Sequence, residues 1–149
     1  MELKTTVLAL GPIGDQSHTF SILPNNFGKT GEAPYYHSTA LSFFKYARDK
    51  IDVAAPVASD RLLVQKSADV YLPILKFAVD NWASGAPLLD MLIDVVVAFI
   101  KDTHPNSKDA QAKLTVIVEE TATTRTVRLD YAGPVEGLKD IKMDAFKDA

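Results

Sequence analysis

The stretch from Ser67 to Lys101, SADVYLPILKFAVDNWASGAPLLDMLIDVVVAFIK, constrains the fold more than any other part of the chain. Nothing else is so apolar for so long, and a chain that carries it must build a core around it. Its spacing predicts two helices separated at Gly85. In the first, Tyr71, Ile74, Leu75, Ala78 and Trp82 follow the spacing of a buried helical stripe, with Ser67 as N-cap, Asp69 in the first turn and Lys76 paired with Asp80. Pro73 is at odds with this pattern, since a proline inside a helix costs ~3 kcal/mol. Pro87 suits the first turn of the second helix.

From Leu88 to Ile100 eleven of thirteen residues are apolar, the exceptions being Asp90 and Asp94. Such a helix has one thin polar edge and needs cover on most sides, from its own domain or from a partner. Leu88, Leu89, Leu92, Val96 and Phe99 are therefore the candidate interaction residues. A buried parallel strand is the rival reading of Val95–Val97. The two aspartates break the run, so it is expected to fall short of the ~20 apolar residues of a membrane span.

Two alternating runs near the C-terminus read as a β-hairpin. Leu114, Val116 and Val118 alternate with Thr115, Ile117 and Glu119; Val127, Leu129 and Tyr131 alternate with Thr126, Arg128 and Asp130. Residues 3–10 and 18–23 form a second hairpin candidate, with turn chemistry at Gly11–Asp15 between them. A helix is expected from Thr39 to Lys50, capped by Ser38 or Thr39, with Leu41, Phe44 and Ala47 or Arg48 facing inward and Phe43 and Tyr46 widening that face. Residues 51–66 read as two short strands or as a loop, and residues 138–149 as a short C-terminal helix or frayed tail with Leu138, Ile141, Ala145 and Phe146 inward. The expected architecture is a single α+β domain spanning residues 1–149, with antiparallel hairpins from both ends of the chain and about three helices on one sheet.

Composition narrows the chemistry. The 149 residues contain no cysteine, which excludes disulfides, thiolate metal sites and cysteine nucleophiles and fits a cytoplasmic setting. The net charge of −3 argues against a nucleic-acid binder that works by neutralising phosphates. The N-terminus has no signal-peptide pattern.

The clearest loop is PNNFGKTGEAP, Pro24 to Pro34, where Gly28-Lys29-Thr30 invites a phosphate-binding reading with Lys29 and Thr30 as the contacts. Such a loop needs a glycine five positions before Gly28, where Leu23 stands, and a helix at the Lys-Thr step, which Gly31 and Pro34 oppose. A glycine-rich surface loop is the simpler account. Asp90 and Asp94, with Asp80, suggest a carboxylate cluster for a divalent cation, against the reading that they are the solvent edge of a buried helix. His18, His37 and His104 share no metal-ligand spacing; His37, beside Tyr35, Tyr36 and Ser38, is the one to weigh for acid–base work, against a structural role. Lys113, Arg125 and Arg128 are expected on the polar face of the C-terminal hairpin, as an anion surface or a solvated face. No cofactor or metal is implied.

In layout, LLDMLIDVVVAFI followed by KLTVIVEETATTRTVRLDY resembles the small effector-associated modules of bacterial conflict systems. The resemblance is one of pattern, with no diagnostic residue, and implies a non-enzymatic adaptor. The sequence thus supports two function classes: an interaction or assembly module with a protein partner or a second copy of itself, and a small-molecule or nucleotide-binding protein that uses the Pro24–Pro34 loop.

Overall fold

The computed structural model describes residues 2–8, 17–27, 34–56, 62–63, 69–103, 111–122 and 125–144. It is a single-domain α+β fold built on one mixed five-stranded sheet. In chain order the elements are β1 (Glu2–Leu8), β2 (Phe20–Leu23), β3 (Tyr36–His37), α1 (Thr39–Ala47), β4 (Leu62–Leu63), β5 (Val70–Val79), α2 (Ala86–Thr103), β6 (Gln111–Glu120) and β7 (Arg125–Pro134). Short 3₁₀ segments lie at Trp82–Gly85 and Val135–Asp140. The strand order is β1-β7-β6-β5-β2; β5 and β6 run parallel and the other neighbours antiparallel. β3 and β4 make a separate two-residue parallel pair.

The C-terminal hairpin forms as the alternation predicts, with Val116 opposite Leu129 and Val118 opposite Val127. The N-terminal runs do not pair with each other. β1 adds to β7 and β2 to β5, so they take opposite edges, and the chain between them must cross about 19 Å of sheet at the usual strand spacing. The local turn signal at Gly11–Asp15 lies outside the described residues.

The larger correction concerns residues 70–79, which are a strand and not a helix. Tyr71 pairs with Lys113 and Ile74 with Thr115, so Leu72 and Pro73 together oppose Leu114 alone. This is a β-bulge: one extra residue resets the alternation. It puts Tyr71 and Ile74 on one face and Leu72 and Leu75 on the other, and both i, i+3 pairs mimic helical spacing. Pro73 is tolerated because the ladder to β6 is already broken there and the pairing with β2 ends at Ile74. Lys76 does not pair with Asp80. Its Nζ lies 3.5 Å from Glu119 on β6, both side chains nearly fully buried. Ser67, the expected N-cap, lies outside the described residues.

α2 carries the helix that the apolar run requires, with Pro87 in its first turn. Asn81 caps the 3₁₀ segment before it, its side chain accepting from the Ser84 N–H, and Glu120 accepts from the Trp82 N–H at 2.9 Å. Leu89, Leu92, Val96 and Phe99 are buried in the core between α2, α1 and the sheet, and Leu88 packs partly buried at its margin. Cover for this helix comes from its own domain. By length and composition Trp82–Thr103 does pass for a membrane span, with mean hydropathy 1.8, contrary to the expectation drawn from its two aspartates; half of it is buried inside the domain.

α1 lies on the same face as α2. Phe43 meets Phe99 edge-on at 5.3 Å between ring centroids, and Tyr46 meets it at 5.6 Å. The buried face of α1 is Ala40, Phe43 and Ala47, while Leu41, expected inward, is 53% exposed. Ser38 is the N-cap position but gives no side-chain cap; the Thr39 hydroxyl instead donates to the Tyr71 carbonyl at 2.7 Å, fixing the helix start to the bulge. In the region 51–66, Val53 forms an isolated bridge with Phe20, and β4 is the only named strand among the described residues. Leu138 and Ile141 are buried as expected, though Leu138 lies on a 3₁₀ turn; Ala145 and Phe146 fall outside the described residues.

Candidate functional site

The two faces of the sheet differ. Leu75, Phe77, Val116, Val118, Val127 and Leu129 face the helices and share one core with them. On the far face a second cluster, Leu23, Ile74 and Ile117, is packed by Leu8 and Phe27. Phe27 gets there because Pro24 begins a turn: the Phe27 N–H donates to the Pro24 carbonyl, and the Asn25 N–H donates to the Tyr35 carbonyl at 2.7 Å. Buried Asn26 accepts from the Tyr35 N–H through its side chain. The base of the Pro24–Pro34 loop is thus pinned against the far face, and Arg128 sits 5.8 Å from the centroid of the Phe27 ring.

Beside this cluster, where the β5 bulge splays the strand, the far face holds a cavity of about 360 Å³. That is within the ~300–1,000 Å³ of small-molecule sites. Five separate parts of the chain supply its polar wall: Lys4 and Glu2 from β1, Asn25 from the loop base, His37 from β3, Lys113 from β6, and Arg128 with Asp130 from β7. Tyr71 closes one side, its ring 5.6 Å from that of His37.

The charges are not equivalent. Asp130 accepts from Thr115 Oγ1 at 2.6 Å and from Arg128 Nε at 3.0 Å, so that carboxylate is fully engaged and holds the guanidinium in place. Lys4 and Lys113 make no ion pair among the described residues, against the one remaining carboxylate, Glu2. The wall therefore carries an excess of positive charge. Burial pushes His37 below the ordinary imidazole range, which keeps its ring neutral near pH 7. Two polar atoms on this wall are sealed from solvent without a hydrogen-bond partner: His37 Nδ1 and Asn25 Oδ1.

Other sequence candidates fall elsewhere. Lys113 and Arg128 share the cavity, but Arg125 lies on the opposite side of β7, 5.7 Å from the Trp82 ring centroid. Asp90 and Asp94 stand exposed on α2, Asp90 3.4 Å from Lys142, and no group of three metal-ligating side chains occurs among the described residues. His18 holds Asp52 at 2.7 Å. Lys29, Thr30 and His104 lie outside the described residues. Asn25, Tyr71 and Lys4 were not singled out from sequence; only the asparagine pair at the loop start hinted at polar side chains held by a turn. Comparison with protein-family models, curated proteins and solved structures finds no match to this chain.

Proposed function

We propose that the protein is a binding module that takes a small polar anion on the far face of its sheet, in the cavity beside the β5 bulge. The observation that carries this reading is the excess of positive charge on the cavity wall, where Lys4 and Lys113 make no ion pair among the described residues and Asp130 holds Arg128 in place. Lys4 and Lys113 favour an anion, and Arg128, oriented by Asp130, presents a fixed donor fork. A small carboxylate or phosphate meets that demand. This develops the small-molecule reading of the Pro24–Pro34 loop, with Asn25 rather than Lys29 and Thr30 as the described contact, and a cytoplasmic setting accords with the cysteine-free chain.

Thermal melts against hydroxy-carboxylates, sugar phosphates, ATP and GTP with Mg²⁺, and neutral counterparts test it. Ligand at about 100 times its dissociation constant adds ~2.7 kcal/mol of stability. We expect anions to raise the melting temperature, neutral counterparts to leave it unchanged, and the Lys4→Gln/Lys113→Gln variant to lose the response. Flat melts throughout refute the proposal. The interaction-module reading draws on Leu88, Leu89, Leu92, Val96 and Phe99, of which all but the partly buried Leu88 are buried within this domain.

A further inference from the structure

The two edges of the sheet differ among the described residues. At the start of β2 the outer side is occupied: the Phe20 N–H donates to the Asp52 carbonyl, and the Ala54 N–H donates to the Phe20 carbonyl, both at 2.9 Å. The Asp52 carboxylate adds bonds to His18 and to the Thr19 N–H. At the other edge, β1 pairs only with β7 among the described residues, so its outer backbone groups face away from the sheet. Free edges template pairing unless charge, proline or a bulge blocks them. β1 has no proline, and its register against β7 runs unbroken from Glu2 to Leu8; its charges are Glu2 and Lys4, both on the face away from the helices, so the register must keep the lysines apart. On its helix-side face stand Leu3 and Val7, 42% and 51% exposed, two of the four large exposed hydrophobics among the described residues.

We infer that β1 pairs antiparallel with β1 of a second copy of this chain, about a two-fold axis at Thr5, joining the two sheets into one. In antiparallel strands directly opposed residues point to the same face, so a two-fold normal to the sheet can pair only residues of like parity. Few registers remain. Centring on Lys4 sets two lysines against each other. Centring on Leu3 or Thr6 leaves one of the two exposed apolar side chains without a described partner. Centring on Thr5 pairs Leu3 with Val7 of the other copy at both ends and uses every residue of the strand. The two exposed hydrophobics are placed symmetrically about Thr5, as an isologous contact requires. A single strand pair is smaller than a standard interface, so the dimer is weak and concentration-dependent. The inference does not rest on the cavity.

The absence of cysteine makes the test clean. Thr5→Cys, on the axis, should give a disulfide-linked dimer under mild oxidation, while Leu41→Cys, more solvent-accessible but on α1, should remain monomeric. Light scattering on the wild type should show molar mass rising from 16.3 kDa with concentration, and Val7→Lys should abolish the rise without lowering the melting temperature. A wild type that stays monomeric at high concentration, cross-linking equal at positions 5 and 41, or self-association that survives Val7→Lys would overturn it. So would a β1 edge that pairs only with a peptide from another protein.

Discussion

Replacing Phe99 by alanine tests whether α2 is covered by its own domain. The side chain is 1% exposed and meets Phe43 and Tyr46 edge-on. Removing a buried phenylalanine costs ~3–5 kcal/mol, and each edge-to-face contact adds ~0.5–1.5 kcal/mol beyond area burial, so Phe99→Ala belongs near the upper end. Domains of this size have ~5–15 kcal/mol in total, which leaves the variant marginally folded. Urea denaturation followed by circular dichroism, at two widely separated protein concentrations, measures it. The midpoint should fall at unchanged slope, by the same amount at both concentrations. Met91→Ala on the solvent side, 45% exposed, should stay within ~0.5 kcal/mol. A loss under ~1 kcal/mol for Phe99→Ala, or one that grows on dilution, would mean that another chain covers the helix.

A methyl group at Gly85 would stand 2.6 Å from Met143 Cε and 3.1 Å from its sulfur, so Gly85→Ala should cost ~1 kcal/mol by overpacking a flexible neighbour; combining it with Met143→Ala should cost less than the sum of the two, in urea midpoints. His37 is held neutral by burial, so the unfolded chain binds more protons than the folded one once pH falls below the ordinary imidazole value of 6.5. Stability should therefore decline from pH 7 towards pH 5 as measured by melting temperature, and His37→Gln should flatten that part of the profile; an unchanged slope would remove His37 as its cause.

The hairpin of β6 and β7 was legible because its alternation is unbroken: Leu114, Val116 and Val118 against Val127, Leu129 and Tyr131, all buried. β5 was not, because the extra residue at Leu72–Pro73 exchanges a period of two for steps of three, and burial on both faces from Ile74 to Phe77, with the lone Lys76 buried against Glu119, leaves no polar–apolar alternation to mark a strand. Pro73 was the one residue that spoke against the helix. α1 was placed correctly and its face mostly so: Phe43 and Ala47 are buried and Phe44 and Tyr46 pack partly against the core, but Leu41 is exposed while Ala40 is buried. Long-range order left no local trace: nothing near Leu8 or Phe20 says that their strands lie at opposite edges. The cavity was least legible, because its wall is assembled from five distant segments, and alternation revealed only that Arg128 and Asp130 share a face.

The central claim is that the cavity beside the β5 bulge binds a small polar anion through Lys4, Lys113 and Arg128, with His37 on the same wall. Imidazole nitrogen spectra of ¹⁵N-labelled protein, titrated with a hydroxy-carboxylate or a sugar phosphate, test it most directly, since the three histidines can be followed separately. The account predicts that the Nδ1 resonance of His37 shifts and saturates while that of His18 holds still, and that the Lys4→Gln/Lys113→Gln variant loses the shift. A His37 resonance that is indifferent to every anion, or that moves only in step with His18, would contradict it.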